Sequence, residues 1–201
     1  PEKVRFLEAA GFTQVVLARE LSLNEIRRTS EATTVPLEVF VHGALCVSYS
    51  GQCYLSAALS GRSANRGECA QYCRLPYTMV DATGTEIVSN KHLLSLKDMN
   101  RSDQLEALLD AGVSSLKIEG RLKDAGYVKN ITAYYRKKLD AVLSRRPEYR
   151  RASAGRSTYT FEPVAEKSFN RGFTTFLLEG RTADMSGWSK RSKAILLLWP
   201  A

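Results

Sequence analysis

Cys46, Cys53, Cys69 and Cys73 are the four cysteines of the 201-residue chain, and they fall within 28 residues, spaced Cys-x6-Cys-x15-Cys-x3-Cys. Four thiolates close together are what a [4Fe–4S] cluster or a structural zinc ion requires. Zinc usually takes paired Cys-x2-Cys knuckles, and only Cys69 and Cys73 come near that spacing. The wide, asymmetric pattern suits a cluster better, with zinc as the alternative. Two disulfides would also use four cysteines. Nothing marks the chain as secreted, however, and a cytoplasmic location, the one expected here, keeps thiols reduced. Four separate buried cysteines would not explain the clustering.

Charged residues form a second candidate group. Arg19 and Glu20 follow the first expected strand, His42 the second, and Glu119 and Arg121 the third, with Lys117 just inside it. In an α/β barrel, chemistry sits at the C-terminal ends of the strands. Arg19 and Arg121 could grip a carboxylate or phosphate through two parallel hydrogen bonds. His42 or Glu119 could move protons. The expected catalytic set is therefore His42, Glu119 and Arg121, and the expected substrate-binding set Arg19, Glu20 and Lys117. Ion pairs along a barrel rim would account for any one of these residues equally well.

Those residues need elements to carry them. Gln14–Ala18 is a short apolar run that reads as a buried strand. Ser22-Leu23-Asn24-Glu25 is a capping box that opens a helix to about Ala32, and Pro36 blocks its extension. Leu37–Val41 is a second strand, so these pieces form a βαβ unit with parallel strands. Residues 43–76 hold every cysteine and read as one long functional loop. A hairpin follows over Tyr77–Val80 and Glu86–Val88, turning at Thr83-Gly84. Ser102–Ala111 is a helix ended by Gly112, and Val113–Ile118 a third core strand. Asp124 caps a long helix to about Ser144, with Val128, Ile131, Tyr135, Leu139 and Val142 as its buried stripe. At the N-terminus, residues 1–10 read as helix, with Val4, Leu7 and Ala10 on one face.

The expected architecture is α/β: a partial (β/α) TIM-like barrel, its C-terminal half, over residues 1–146, with the cysteine-rich insertion at 43–76. A basic linker follows at 147–158, the start of a small β-rich segment at 159–185, and an atypical tail at 186–201. Half a barrel leaves open edges and buries its core poorly. Missing N-terminal strands, a partner, or an unstable product is the expected consequence.

Net charge is +8. Residues 121–156 hold eleven Lys/Arg against three Asp/Glu, and the remainder balances at eighteen of each. A localised surplus suits a polyanion such as RNA. A solvated helix face followed by a basic linker explains it as well, and is the commoner case. No apolar run approaches the ~20 residues of a membrane span, and no signal peptide opens the chain. There is no His-Glu-x-x-His helix, no Gly-x-Ser-x-Gly elbow and no nucleotide fingerprint. A Cys/His protease using Cys46 and His42 would leave three thiols unexplained.

Glu38-Val39-Phe40-Val41-His42-Gly43-Ala44-Leu45-Cys46 followed by Gly51-Gln52-Cys53-Tyr54-Leu55-Ser56 resembles the signature of the collagenase-like peptidase family, peptidase family U32. Asn65–Arg74 resembles the family's second cysteine pair. Leu17–Ser22, Leu116–Arg121, Phe169–Thr174 and Glu179-Gly180-Arg181 resemble further blocks, so the likeness spans about residues 1–185. The later block looks most like that of members acting on ribosomal RNA. The resemblance implies a barrel-like α/β domain, a four-cysteine [4Fe–4S] cluster and hydroxylation of RNA, on a 23S rRNA cytidine or a tRNA wobble uridine. Prephenate is the implied hydroxyl source, and related members hydroxylate the ubiquinone ring without oxygen. Against the family pattern, the N-terminal half of the barrel is absent and the tail after about Asp184 departs from it. Two alternatives stay open: a collagenase-like hydrolase, or a non-catalytic zinc or cluster module that binds RNA.

Overall fold

The computed structural model describes residues 1–152, 154–180 and 185–187. Helix α1 (Glu2–Ala9) leads to strand β1 (Val15–Val16) and helix α2 (Leu23–Ser30). The capping box forms as the sequence predicts. The Ser22 side chain accepts from the Glu25 N–H, and the Glu25 carboxylate accepts from the Ser22 N–H at 2.8 Å. Strand β2 (Leu37–Gly43) pairs in parallel with β1 on one side and with β6 (Val113–Ile118) on the other. Helix α4 (Leu105–Asp110) precedes β6, and α5 (Ala125–Leu143) follows it, with Asp124 accepting from the Tyr127 N–H at 2.7 Å.

Among the described residues the result is a mixed α/β fold with two sheets, and neither sheet closes into a barrel. Barrel closure takes about eight strands. The larger sheet has five: β1, β2 and β6 are extended by β5 (Asp98–Asn100), antiparallel to the end of β2, and by β7 (Phe173–Thr174), parallel to β5. The smaller sheet is the expected hairpin, β3 (Tyr77–Val80) with β4 (Glu86–Lys91). The cysteine segment is not the single long loop that was expected. It holds helix α3 (Leu55–Ser60) and two 3-10 turns, Ala64–Arg66 and Tyr72–Arg74.

One apolar core joins β1, β2 and β6 to α2, α4 and α5 through Ile26, Leu37, Val41, Leu108 and Ile131. Ala165 and Leu178, from the part expected to be β-rich, pack into the same core. The α5 stripe is corrected at one place: Val128 is 45% exposed, and Tyr127 is buried instead. Residues 159–180 contribute one strand, the two-residue β7. Of the tail, only Ser186 and Gly187 are described, Ser186 bridging to Leu96; the rest of the tail and Arg181 lie outside the described residues. Among the described residues no helix is long and apolar enough to cross a membrane.

Candidate functional site

A cavity of about 1460 Å³ opens at the C-terminal ends of β2 and β6, and all four cysteines line it. None is in a disulfide. Cys46 follows β2, Cys53 precedes α3, and Cys73 sits in the second 3-10 turn. The Cys53 thiol is held below its ordinary pKa. Burial opposes this most strongly, but the Leu55 N–H, the Ser48 hydroxyl, Cys46 and the Ser56 N–H together outweigh it. Burial pushes Cys73 up; the Arg74 guanidinium pulls it down, and Cys46, Cys69 and Cys53 each push it further up. Cys73 is therefore near enough to the other three thiols to feel their charge. Among the described residues, no three Cys, His, Asp or Glu side chains form a group that could hold a single metal ion. A lone zinc ion, with Zn–S of about 2.3 Å, needs its four sulfurs almost in contact. All four thiols are free and line this one cavity, which is the donor chemistry a four-thiolate centre would use.

His42, Glu119, Arg121 and Arg19 also line the cavity. His42 is 2% exposed, and its ring is packed among Tyr127, Tyr135 and Phe173, with centroids 6.2, 5.4 and 5.5 Å away. Its Nδ1 lies 3.3 Å from the Tyr135 hydroxyl. Burial, reinforced by Lys123, lowers its pKa to about 4, so it is neutral near pH 7. No hydrogen bond joins His42 to a cysteine among the described residues. Glu119 is fixed against β2: its N–H donates to the His42 carbonyl at 2.8 Å, and its carboxylate accepts from the Arg121 N–H at 2.6 Å. Gly43 makes that approach possible. Its φ is +119°, and a Cβ there would stand 2.7 Å from both the Cβ and the carbonyl oxygen of Glu119.

Arg19 and Glu20 act on the cysteine segment. Arg19 donates to the carbonyls of Cys46 and Ser48, and Glu20 accepts from the Ser50 N–H at 2.8 Å and from its hydroxyl. The two pair with each other at 3.4 Å. Arg19 Nε is buried without a partner among the described residues. Lys117 pairs with Glu38 at 3.3 Å and lies over the Phe40 ring. Neither Lys117 nor Glu20 is on the cavity wall.

Several site residues were not singled out by sequence. Arg74 donates to the Leu45 carbonyl, to the Ser95 hydroxyl at 2.9 Å and to the Leu96 carbonyl at 3.1 Å, tying both cysteine-bearing stretches to the β4–β5 connection. Arg101, 1% exposed, donates to the carbonyls of Arg19, Phe40 and Thr175 and has no carboxylate partner among the described residues. Burial lowers its pKa to about 10. Lys123 lies over the rings of Phe169 and Tyr127, at 4.2 and 5.1 Å, and Arg171 lies over Phe169 at 4.7 Å while pairing with Asp98. The position of Lys123, two residues past Arg121 beyond the third strand, was a usable signal. Arg74 and Arg101 carried none, because their roles depend on carbonyls distant in sequence.

The basic stretch divides into two parts. Arg136, Lys137, Lys138, Arg145, Arg146 and Arg151 are each ion-paired with Asp103, Glu106, Asp110, Asp140, Glu148 or Glu162. Six of the eleven basic residues of 121–156 are thus ion-paired, three of them on α5 and three beyond its end. Arg121, Lys123 and Lys129 face the cavity instead, joined there by Lys167.

The sequence profile of peptidase family U32 matches residues 1–187. Over 187 residues the chain is 54% identical to the 23S rRNA 5-hydroxycytidine C2501 synthase of Escherichia coli, covering 93% of this chain and 29% of that protein. It is 39% identical over 144 residues to tRNA hydroxylation protein P1 of Bacillus subtilis, covering 69% and 34%. It is 37% identical over 172 residues to a Collagenase of Porphyromonas gingivalis, covering 79% and 40%. The chain thus spans between 29% and 40% of the length of these relatives. No solved structure matches it.

Proposed function

This chain belongs to peptidase family U32, and on that footing we propose that it is the cysteine-bearing part of an enzyme that hydroxylates a base in RNA. Cys46, Cys53, Cys69 and Cys73 would hold a [4Fe–4S] cluster. The observation that carries this reading is the convergence of four free thiols and the basic side chains of Arg121, Lys123 and Lys129 on one cavity. When bound, such a cluster supplies one-electron redox chemistry. Arg74 and Arg19, through their carbonyl contacts, hold the ligand-bearing backbone in register. Arg121, Lys123 and Lys129 would meet the phosphates of RNA or the carboxylates of a hydroxyl donor such as prephenate. His42 and Glu119, which also line the cavity, would be the groups to handle protons. The parallel β1–β2–β6 core would be part of a (β/α) barrel, and the cytoplasm would be the place of action.

The relatives named for RNA hydroxylation favour a ribosomal RNA cytidine or a tRNA uridine as substrate. The relative named Collagenase favours a hydrolase as second reading. Anaerobic purification tests the first. A brown protein absorbing broadly near ~400 nm, with iron and sulfide lost on Cys→Ser substitution, supports it. A colourless protein with one zinc per chain would replace the cluster by a structural ion. Nucleoside analysis of RNA from a deletion strain, with and without the gene restored, then reads the product. Gelatin cleavage abolished by Cys46→Ser, with RNA unchanged, would establish the hydrolase instead.

A further inference from the structure

The hydroxyl of Tyr135 is crowded by four groups, and their chemistry fixes where each proton lies. Tyr135 Oη is 2.7 Å from the Val41 carbonyl and 3.1 Å from Asn100 Oδ1. The Asn100 amide is oriented independently, because its oxygen accepts from the Ser102 N–H at 3.0 Å. Both oxygens facing the phenol are therefore acceptors. Two oxygens 2.7 Å apart need a proton between them, and only the phenol has one to give. The Arg101 N–H is shared, donating to the Val41 carbonyl at 2.9 Å and to the phenol oxygen at 3.2 Å. One lone pair remains on that oxygen, and His42 Nδ1 stands 3.3 Å away. An unprotonated Nδ1 would set a lone pair against a lone pair in a buried site, so Nδ1 carries the hydrogen.

We infer that Tyr135 is a positioning residue that locks His42 in the Nδ1–H tautomer, leaving Nε2 as an unprotonated acceptor at the wall of the cysteine-lined cavity. His42 lines that cavity, and no hydrogen bond to Nε2 occurs among the described residues. A ligand group placed against it must be an N–H or O–H donor, such as an amine or hydroxyl; a bare carboxylate or phosphate oxygen would be repelled. The inference deepens the proposed function by giving His42 the accepting role at that site, but the tautomer itself holds whether or not RNA is the substrate.

The chain has two histidines, His42 and His92, so nitrogen-15 NMR of the full chain with labelled histidine reads the state directly. His92→Gln assigns the two rings. At neutral pH, His42 is expected to show a protonated Nδ1 and a pyridine-like Nε2. A protonated Nε2 with bare Nδ1, or an imidazolium, overturns the inference. In Tyr135→Phe the ratio of Nδ1–H to Nε2–H at His42 should fall by a factor of about two to ten, the range given by one lost hydrogen bond. An unchanged His92 signal shows that the variant is folded. A folded variant with an unchanged His42 ratio removes Tyr135 from the role. Should the variant not fold, the spectrum of the unsubstituted chain still decides. Loss of the cluster reading would leave these signals where they are, so the two failures are distinguishable.

Discussion

Lowering the pH from 7.5 to 5 should destabilise the chain through His42 before the carboxylates take part. The His42 ring is held at a pKa of about 4, against an ordinary value of 6.5, by burial first and by the Lys123 charge second. Between those two values the unfolded chain binds a proton that the folded chain refuses. Stability is therefore fully present above pH 6.5 and is lost as pH falls toward 4. For a gap of this size the full loss is about 3 kcal/mol, of which about 2 kcal/mol falls between pH 7.5 and 5. That is a large part of a domain's stability of roughly 5–15 kcal/mol. Urea unfolding of the original chain and of His42→Gln at both pH values isolates the effect, since every other titrating group is shared. The original chain should lose about 2 kcal/mol more than the variant over this interval. Equal losses would mean that His42 is protonated in the fold, which would also refute its burial as a neutral base.

Three further perturbations test other parts of the site. Gly43→Ala should cost about 2–4 kcal/mol, because the backbone is left-handed there and the new methyl meets Glu119; a urea midpoint near that of the original chain would refute the close approach. Arg101→Met should cost about 2–4 kcal/mol, since the carbonyls of Arg19, Phe40 and Thr175 lose their donor together, and calorimetry reads it as a lowered Tm. Lys123→Ala with Lys129→Ala should weaken binding to a short RNA and reduce the slope of log affinity against log salt by about 0.7 per lost single-strand phosphate contact. Lys137→Ala with Lys138→Ala should change both far less, because those lysines already pair with Glu162 and Asp103.

Much of the fold was legible because its signals are local. The capping box at Ser22, the cap at Asp124, the turn at Thr83-Gly84 and the apolar run Val113–Ile118 each depend on residues a few positions apart. β5 was missed because Asp98-Met99-Asn100 has no strand pattern of its own. It is a strand only because it pairs with His42 and Gly43 and with Phe173 and Thr174. Val128 was misplaced for a related reason. Its helical period is right, but Tyr127, not Val128, packs against the His42 ring, a contact between residues 85 positions apart in sequence.

The candidate site divides along the same line. Cysteine spacing could point to four thiols, since short separations limit where they can go, and all four line one cavity. Charge counting could find a basic segment but not apportion it, because apportionment depends on acids far away in sequence. Glu106 and Asp110 of α4 take up Arg145 and Arg146, and Asp103 takes Lys138. Exposed pairs of this kind add little stability, a median near ~0–1 kcal/mol each. What they change is availability: a cation already facing a carboxylate is a poor phosphate ligand. Lys123 over Phe169, Lys129 over Phe161 and Arg121 against the Gly67 carbonyl make no ion pair among the described residues. All three line the cavity that holds the thiols. The charge that reads as a surface property of a long helix thus resolves into a largely ion-paired group and a few basic side chains at the cavity, where Glu119, Asp124 and Glu162 also stand.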